Sequence, residues 1–162
     1  MNTPATLPAS PEIAISCAIP GATINYHDLG QGQPLLPIHG SGPGVSAWAN
    51  WRGVMPDLSK HFRVIAPDML GFGHTRSNSP PRFDVERWVD ALAQNEEQLR
   101  ALKHPTLIMH GREDQVIPLS ISLRLMAILP NTTLLVFGNC GHWTQIEKRE
   151  AFIAAVRDFM DR

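Results

Sequence analysis

The chain has 162 residues, 43% of them hydrophobic and 18% charged, which is the size of one ordinary domain with enough apolar mass for a core. With 15 acidic residues against 14 basic ones the net charge is −1, and the positive charges are scattered, which argues against nucleic acid or an anionic membrane as partner. Every apolar run is broken well before the roughly 18 residues of a spanning helix, and Met1 to Pro11 has no Lys, Arg or apolar stretch of a leader, so a soluble, cytoplasmic protein is expected.

Residues 1–12 are rich in Pro, Ala, Ser and Thr and predict a flexible arm, with a single domain over 13–162. Ile13 to Ile19 and Ala22 to Tyr26 alternate as two strands, and Pro20-Gly21 predicts the turn of a hairpin at a sheet edge. Leu35 to Ile38 and Arg63 to Ala66 are short apolar runs of the kind that form buried parallel strands, with a helix expected over Ala47 to His61. Pro37 lacks the N–H for a ladder bond and marks an edge or a weak point. After Pro80-Pro81, Asp84 can cap a helix whose apolar face runs through Val85, Trp88, Val89 and Leu92 towards Leu102. Thr106 to Met109 and Thr133 to Phe137 read as further strands around a helix over Ser120 to Leu129, and Arg149 to Met160 reads as a closing amphipathic helix. Strands alternating with helices give the fold class: an α/β protein with a mostly parallel sheet flanked by helices.

Three segments carry chemistry. His39-Gly40-Ser41-Gly42-Pro43-Gly44 follows a strand and offers backbone N–H groups to an anion, as an oxyanion-hole loop does; a plain glycine-rich turn is the alternative. It has neither the ending of a P-loop nor the spacing of a dinucleotide fingerprint, so no nucleotide cofactor is expected. His110 to Pro118 places Asp114 beyond a strand's C-terminal end, where ligands meet α/β sheets. Gly138-Asn139-Cys140-Gly141-His142-Trp143 presents a histidine before the last helix, so Asp114 can orient His142 as a general base. His27, His61 and His104 read as ordinary surface or turn residues, and neither the histidines nor Cys17 and Cys140 have metal-ligand spacing. No metal is expected, and Cys140 reads as a buried structural thiol.

Taken together, HGSGPGVSAWANW (residues 39–51), RVIAPDMLGFG (63–73), HGREDQVIP (110–118) and GNCGHWTQIE (138–147) resemble the α/β-hydrolase family, and within it the meta-cleavage product C–C hydrolases of the 2-hydroxymuconic semialdehyde type. The resemblance implies a triad in which Asp114 and His142 are two members, an oxyanion and substrate site formed by Gly40, Ser41, Gly42 and Asn50, and Trp143 lining the pocket. The implied partner is a small dienol or ester-like substrate.

The family also implies a Gly-x-Ser-x-Gly elbow and a helical lid between residues 73 and 105, and the sequence has neither; no serine stands between Asp84 and Pro105. Arg87-Trp88-Val89-Asp90 resembles words that occur in this family both before the elbow and after the lid, which suggests a deletion joining the two. A crossover helix would then let the Thr106 strand pair with the Leu35 strand in one smaller sheet. Two functions remain open on the sequence: a hydrolase of reduced activity, or a non-catalytic scaffold or subunit that assembles through an exposed strand edge into a homo-oligomer.

Overall fold

The computed structural model describes residues 11–40, 44–78 and 96–162. Within it the chain forms two compact units, Met1–Pro81 and Arg82–Arg162.

The first unit is built on β1 (Ile15–Ile19), β2 (Ala22–Leu29), β3 (Pro34–Leu35), β4 (Arg63–Pro67) and β5 (Arg76–Ser77), with the short helices α1 (Ala47–Trp51) and α2 (Met55–Leu58). Pro20-Gly21 does make the expected hairpin: Gly21 takes φ +83° and β1 pairs antiparallel with β2, from Ile19 opposite Ala22 to Ile15 opposite Tyr26. The sheet runs β1-β2-β4-β3, with β5 adding to β2, and only the β3–β4 pair is parallel. β3 stops at Leu35, two residues short of the proline that cannot donate to a ladder, and takes the edge position beside β4. The helix expected over Ala47 to His61 is two helices instead. Gly53 falls between them, and Pro56, whose ring excludes the carbonyl four residues back, begins the second. Ala47, Trp51, Val54, Met55 and Leu58 from these helices pack with Phe62, Val64 and Ala66 as the buried core of the unit.

The second unit contains α3 (Glu96–Ala101), β6 (Thr106–Gly111), α4 (Leu119–Ile128), β7 (Thr132–Phe137), α5 (Thr144–Glu147) and α6 (Arg149–Met160). β6 and β7 pair in parallel, from Thr106 opposite Thr132 to Gly111 opposite Phe137, joined by α4 as the alternating pattern predicts. α6 has the expected boundaries and buries Phe152 and Val156, four residues apart on one face. The expected helix from Asp84 falls largely outside the described residues; its last part is α3. The Thr106 strand does not join the Leu35 strand: each belongs to its own sheet. No described helix is long and apolar enough to cross a membrane.

Candidate active site

The second unit brings together the two residues expected to cooperate. β6 ends at Gly111, and the turn after it folds so that Asp114 Oδ1 accepts the N–H groups of Val116 (2.8 Å) and Ile117 (3.0 Å). The other oxygen, Oδ2, lies 2.9 Å from His142 Nδ1. Because a carboxylate only accepts, Nδ1 carries the proton and donates, which leaves Nε2 as the lone-pair nitrogen. Among the described residues no hydrogen bond engages that Nε2. The Asp114 side chain is 6% exposed and that of His142 20%, so the carboxylate is enclosed while the ring keeps an open side. Burial pushes the Asp114 carboxyl upward, but the N–H of Ile117, the His142 ring and the N–H of Val116 together outweigh it and hold the group below its ordinary value.

Behind this pair stands His110, buried on β6. Its Nε2 lies 3.0 Å from the Ile117 carbonyl, so it donates there, and its Nδ1 lies 2.8 Å from Ser122 Oγ on α4. The same Nε2 is 3.6 Å from Asp114 Oδ2. His110 therefore braces the turn whose N–H groups hold Asp114, a role the sequence reading did not assign.

The loop bearing His142 is held by two further carboxylates. Glu113 Oε2 accepts the Cys140 N–H at 3.1 Å, while Glu147 accepts the N–H of Gly141 at 2.7 Å and of Trp143 at 3.0 Å. The bond from Cys140, helped by Arg112, draws Glu113 below the usual carboxylate range; those from Gly141 and Trp143 do the same for Glu147. Asn139 takes φ +52°, a left-handed conformation that asparagine tolerates better than most residues, and this turns the chain out of β7. Trp143 meets the His142 ring edge-on, with centroids 5.2 Å apart, and is itself 39% exposed. Cys140 is 1% exposed and its thiol is pushed upward, chiefly by burial, as fits a structural cysteine rather than a nucleophile. Both cysteines are free.

In the first unit, Ser41 and Gly42 of the expected oxyanion loop lie outside the described residues, and Gly40 is exposed. His39, just before them, is buried: its Nδ1 donates to the Gly40 carbonyl (2.7 Å) and its Nε2 accepts the Met69 N–H (2.9 Å). Asn50 is 6% exposed within α1, its amide donating to the Ser46 carbonyl at 3.0 Å. Asp68 is the buried organiser here, accepting from Ala47 N (2.6 Å), Asn25 Nδ2 (2.8 Å) and His74 N (2.8 Å). His27 departs from the sequence reading. It is 6% exposed, beside Trp48 with ring centroids 5.3 Å apart, because β2 is an interior strand paired on both edges. His61 and His104 are exposed as expected. No group of His, Cys, Asp and Glu among the described residues could hold a metal ion.

Comparison with known proteins places the chain in a family. The model of the alpha/beta hydrolase fold family matches residues 33–100 and, separately, 78–149, so that residues 78–100 are matched twice. The chain is 31% identical over 257 aligned residues to the 2-hydroxy-6-oxo-2,4-heptadienoate hydrolase of Pseudomonas putida, an alignment spanning 86% of this chain and 93% of that protein. It is 32% identical over 277 residues to the 2-hydroxymuconate semialdehyde hydrolase of a Pseudomonas species, spanning 99% and 97%. Both alignments are far longer than this chain of 162 residues, so they cross a long interior stretch for which it has no counterpart. A crystallised meta-cleavage product hydrolase from Pseudomonas fluorescens superposes with a TM-score of 0.74 at 30% identity, covering 94% of this chain and 99% of that one. The chain thus belongs to the α/β-hydrolase family, and the relatives it is similar to at this level are meta-cleavage product hydrolases.

Proposed function

We propose that the protein is a reduced hydrolase of the meta-cleavage product type, acting weakly on small dienol or ester-like substrates with His142 as general base and Asp114 as its orienter. The observation that carries this is the 2.9 Å contact between His142 Nδ1 and Asp114 Oδ2, with no hydrogen bond to the far nitrogen among the described residues. That is the arrangement in which a histidine takes a proton from an attacking hydroxyl or water and a buried carboxylate steadies the imidazolium that forms. Gly40, Ser41 and Gly42 are the proposed oxyanion donors, with Asn50 and Trp143 as substrate contacts; no cofactor is required.

The interior stretch missing from the alignments is, on this reading, the segment holding the nucleophile strand and the lid. The double match of residues 78–100 supports it, since a chain joined across a deletion would present one segment to two places in the family model. Lacking a serine elbow, the protein would use water as nucleophile, and serine-hydrolase sites stripped of their triad retain roughly 10³–10⁴-fold acceleration from binding and oxyanion stabilisation. The test is turnover of a short p-nitrophenyl ester and of a meta-cleavage dienol by the full chain beside His142→Ala. Activity abolished in the variant supports the reading; no activity, or activity indifferent to the substitution, rejects it.

A second reading, a non-catalytic protein that assembles through strand edges, is favoured by one observation. Strands β6 and β7 form a two-stranded parallel sheet whose residues from Thr106 to Met109 and Thr132 to Leu135 are half-buried, where parallel strands are usually covered on both faces. Light scattering during size exclusion decides it: a concentration-dependent dimer together with an inactive chain supports assembly, and a monomer at every concentration rejects it.

A further inference from the structure

We propose that Glu147 is a positioning residue for His142, acting through the backbone on either side of it. The proposal extends the reading of His142 as base but is a statement about ring geometry, so it can hold or fail independently of turnover.

His142 sits on an irregular loop between β7 and α5, where no ladder or helix fixes its backbone. A histidine so placed has two freedoms, the peptide planes flanking its Cα and its own χ angles, and Asp114 can restrain only the second. Glu147 restrains the first. Its two carboxylate oxygens take the N–H groups of Gly141 and Trp143, the residues immediately before and after His142, at 2.7 and 3.0 Å. One rigid, planar group thus spans both neighbours of the histidine. Its reach is fixed because Glu147 closes the turn of α5, donating its own N–H to the Trp143 carbonyl at 2.8 Å. The exchange between the Trp143 N–H and a glutamate on the following turn has the logic of a capping box, lengthened so that the second oxygen reaches Gly141.

Glu113 supplies the complementary anchor on the other side. Its carboxylate holds the Cys140 N–H, and its backbone N–H donates to the Cys140 carbonyl at 3.0 Å. The N–H groups of Cys140, Gly141 and Trp143 are therefore all occupied by the chain's own carboxylates. These donors are taken up with orienting His142, which leaves oxyanion binding to other donors. Charged acceptors make the stronger kind of hydrogen bond, so holding these donors in water calls for a carboxylate rather than an amide.

The experiment follows the His142 Nδ1–H proton by NMR in the full chain, assigned by its disappearance in His142→Ala. The parent should give a downfield, slowly exchanging resonance. In Glu147→Ala it should exchange with water at least about ten-fold faster or be lost, because each charge-assisted hydrogen bond removed loosens the loop by about an order of magnitude or more. Glu147→Gln keeps volume and one acceptor but turns an NH2 towards a backbone donor, so it should fall between the two. Glu147→Asp, a carboxylate too short to span both donors, should not restore the parent line. A resonance unchanged in Glu147→Gln and Glu147→Ala overturns the proposal, as does its absence from the parent. If Glu147→Ala does not fold, Glu147→Gln decides alone. A parent that shows the resonance and the Glu147 effect but no turnover would reject the proposed activity and leave the positioning role standing.

Discussion

The two oxygens of Asp114 do separate work: one fixes the turn through Val116 and Ile117, the other faces the histidine. Asp114→Asn keeps the first function and reverses the second, since its amide would face the Nδ1 proton and favour the wrong tautomer. Turnover in Asp114→Asn should therefore fall to the level of His142→Ala; the equivalent exchange in a serine protease lowers the rate roughly 10⁴-fold. Because Asp114 is held below its ordinary value of 3.8, its stabilising contribution is complete above that pH and disappears only as pH falls through the lower folded value. His27 acts in the opposite range. Burial lowers its value from 6.5 against the pull of Asp68 and Glu12, and its Nε2 has no hydrogen-bond partner among the described residues. The unfolded chain thus takes up the proton first, and stability is complete above about pH 6.5 and falls as pH drops below it. Urea midpoints at about pH 5.5 and 7.5 should differ more for the parent than for His27→Gln. Asp114 and His142 were legible because their loops follow strands with characteristic glycines; the burial of His27 was not, because a histidine in a short alternating strand reads the same on either face.

Elements record the same division between local and distant causes. α6 kept its expected boundaries because its apolar residues recur at helical spacing, whereas the expected 47–61 helix broke at signals present in the sequence, Gly53 and Pro56. The bracing by His110, Glu113 and Glu147 was invisible at this level: each is an ordinary polar residue until the turn after β6 and the loop after β7 are brought together. That meeting is tight. A Cβ on Gly111 would collide with the carbonyl oxygens of Cys140 and Gly141. Gly111→Ala should accordingly destabilise by about 1–3 kcal/mol, seen as a lower urea midpoint with unchanged slope, and should broaden the His142 resonance. Phe152→Ala, which empties a buried position on α6, should remove about 3–5 kcal/mol without affecting His142 selectively.

For the molecule as a whole, the α/β class and the family were legible from four ordered segments, and the separation into two sheets was not, because strand pairing between distant segments depends on contacts that no local pattern encodes. The proposed reading of His142 as a base that works without a serine makes a specific demand: added small nucleophiles such as hydroxylamine should speed ester cleavage by the parent above solution background, and not by His142→Ala. The same hydrogen bonds carry a consequence for ancestry. Among the described residues, the hydrogen bonds that shape the pair, from His110 through Glu113 and Asp114 to Cys140, His142 and Glu147, arise within residues 110–147. On the proposed deletion, a stretch lost before residue 105 would remove none of these contacts, so the histidine would stay set by residues 110–147 alone.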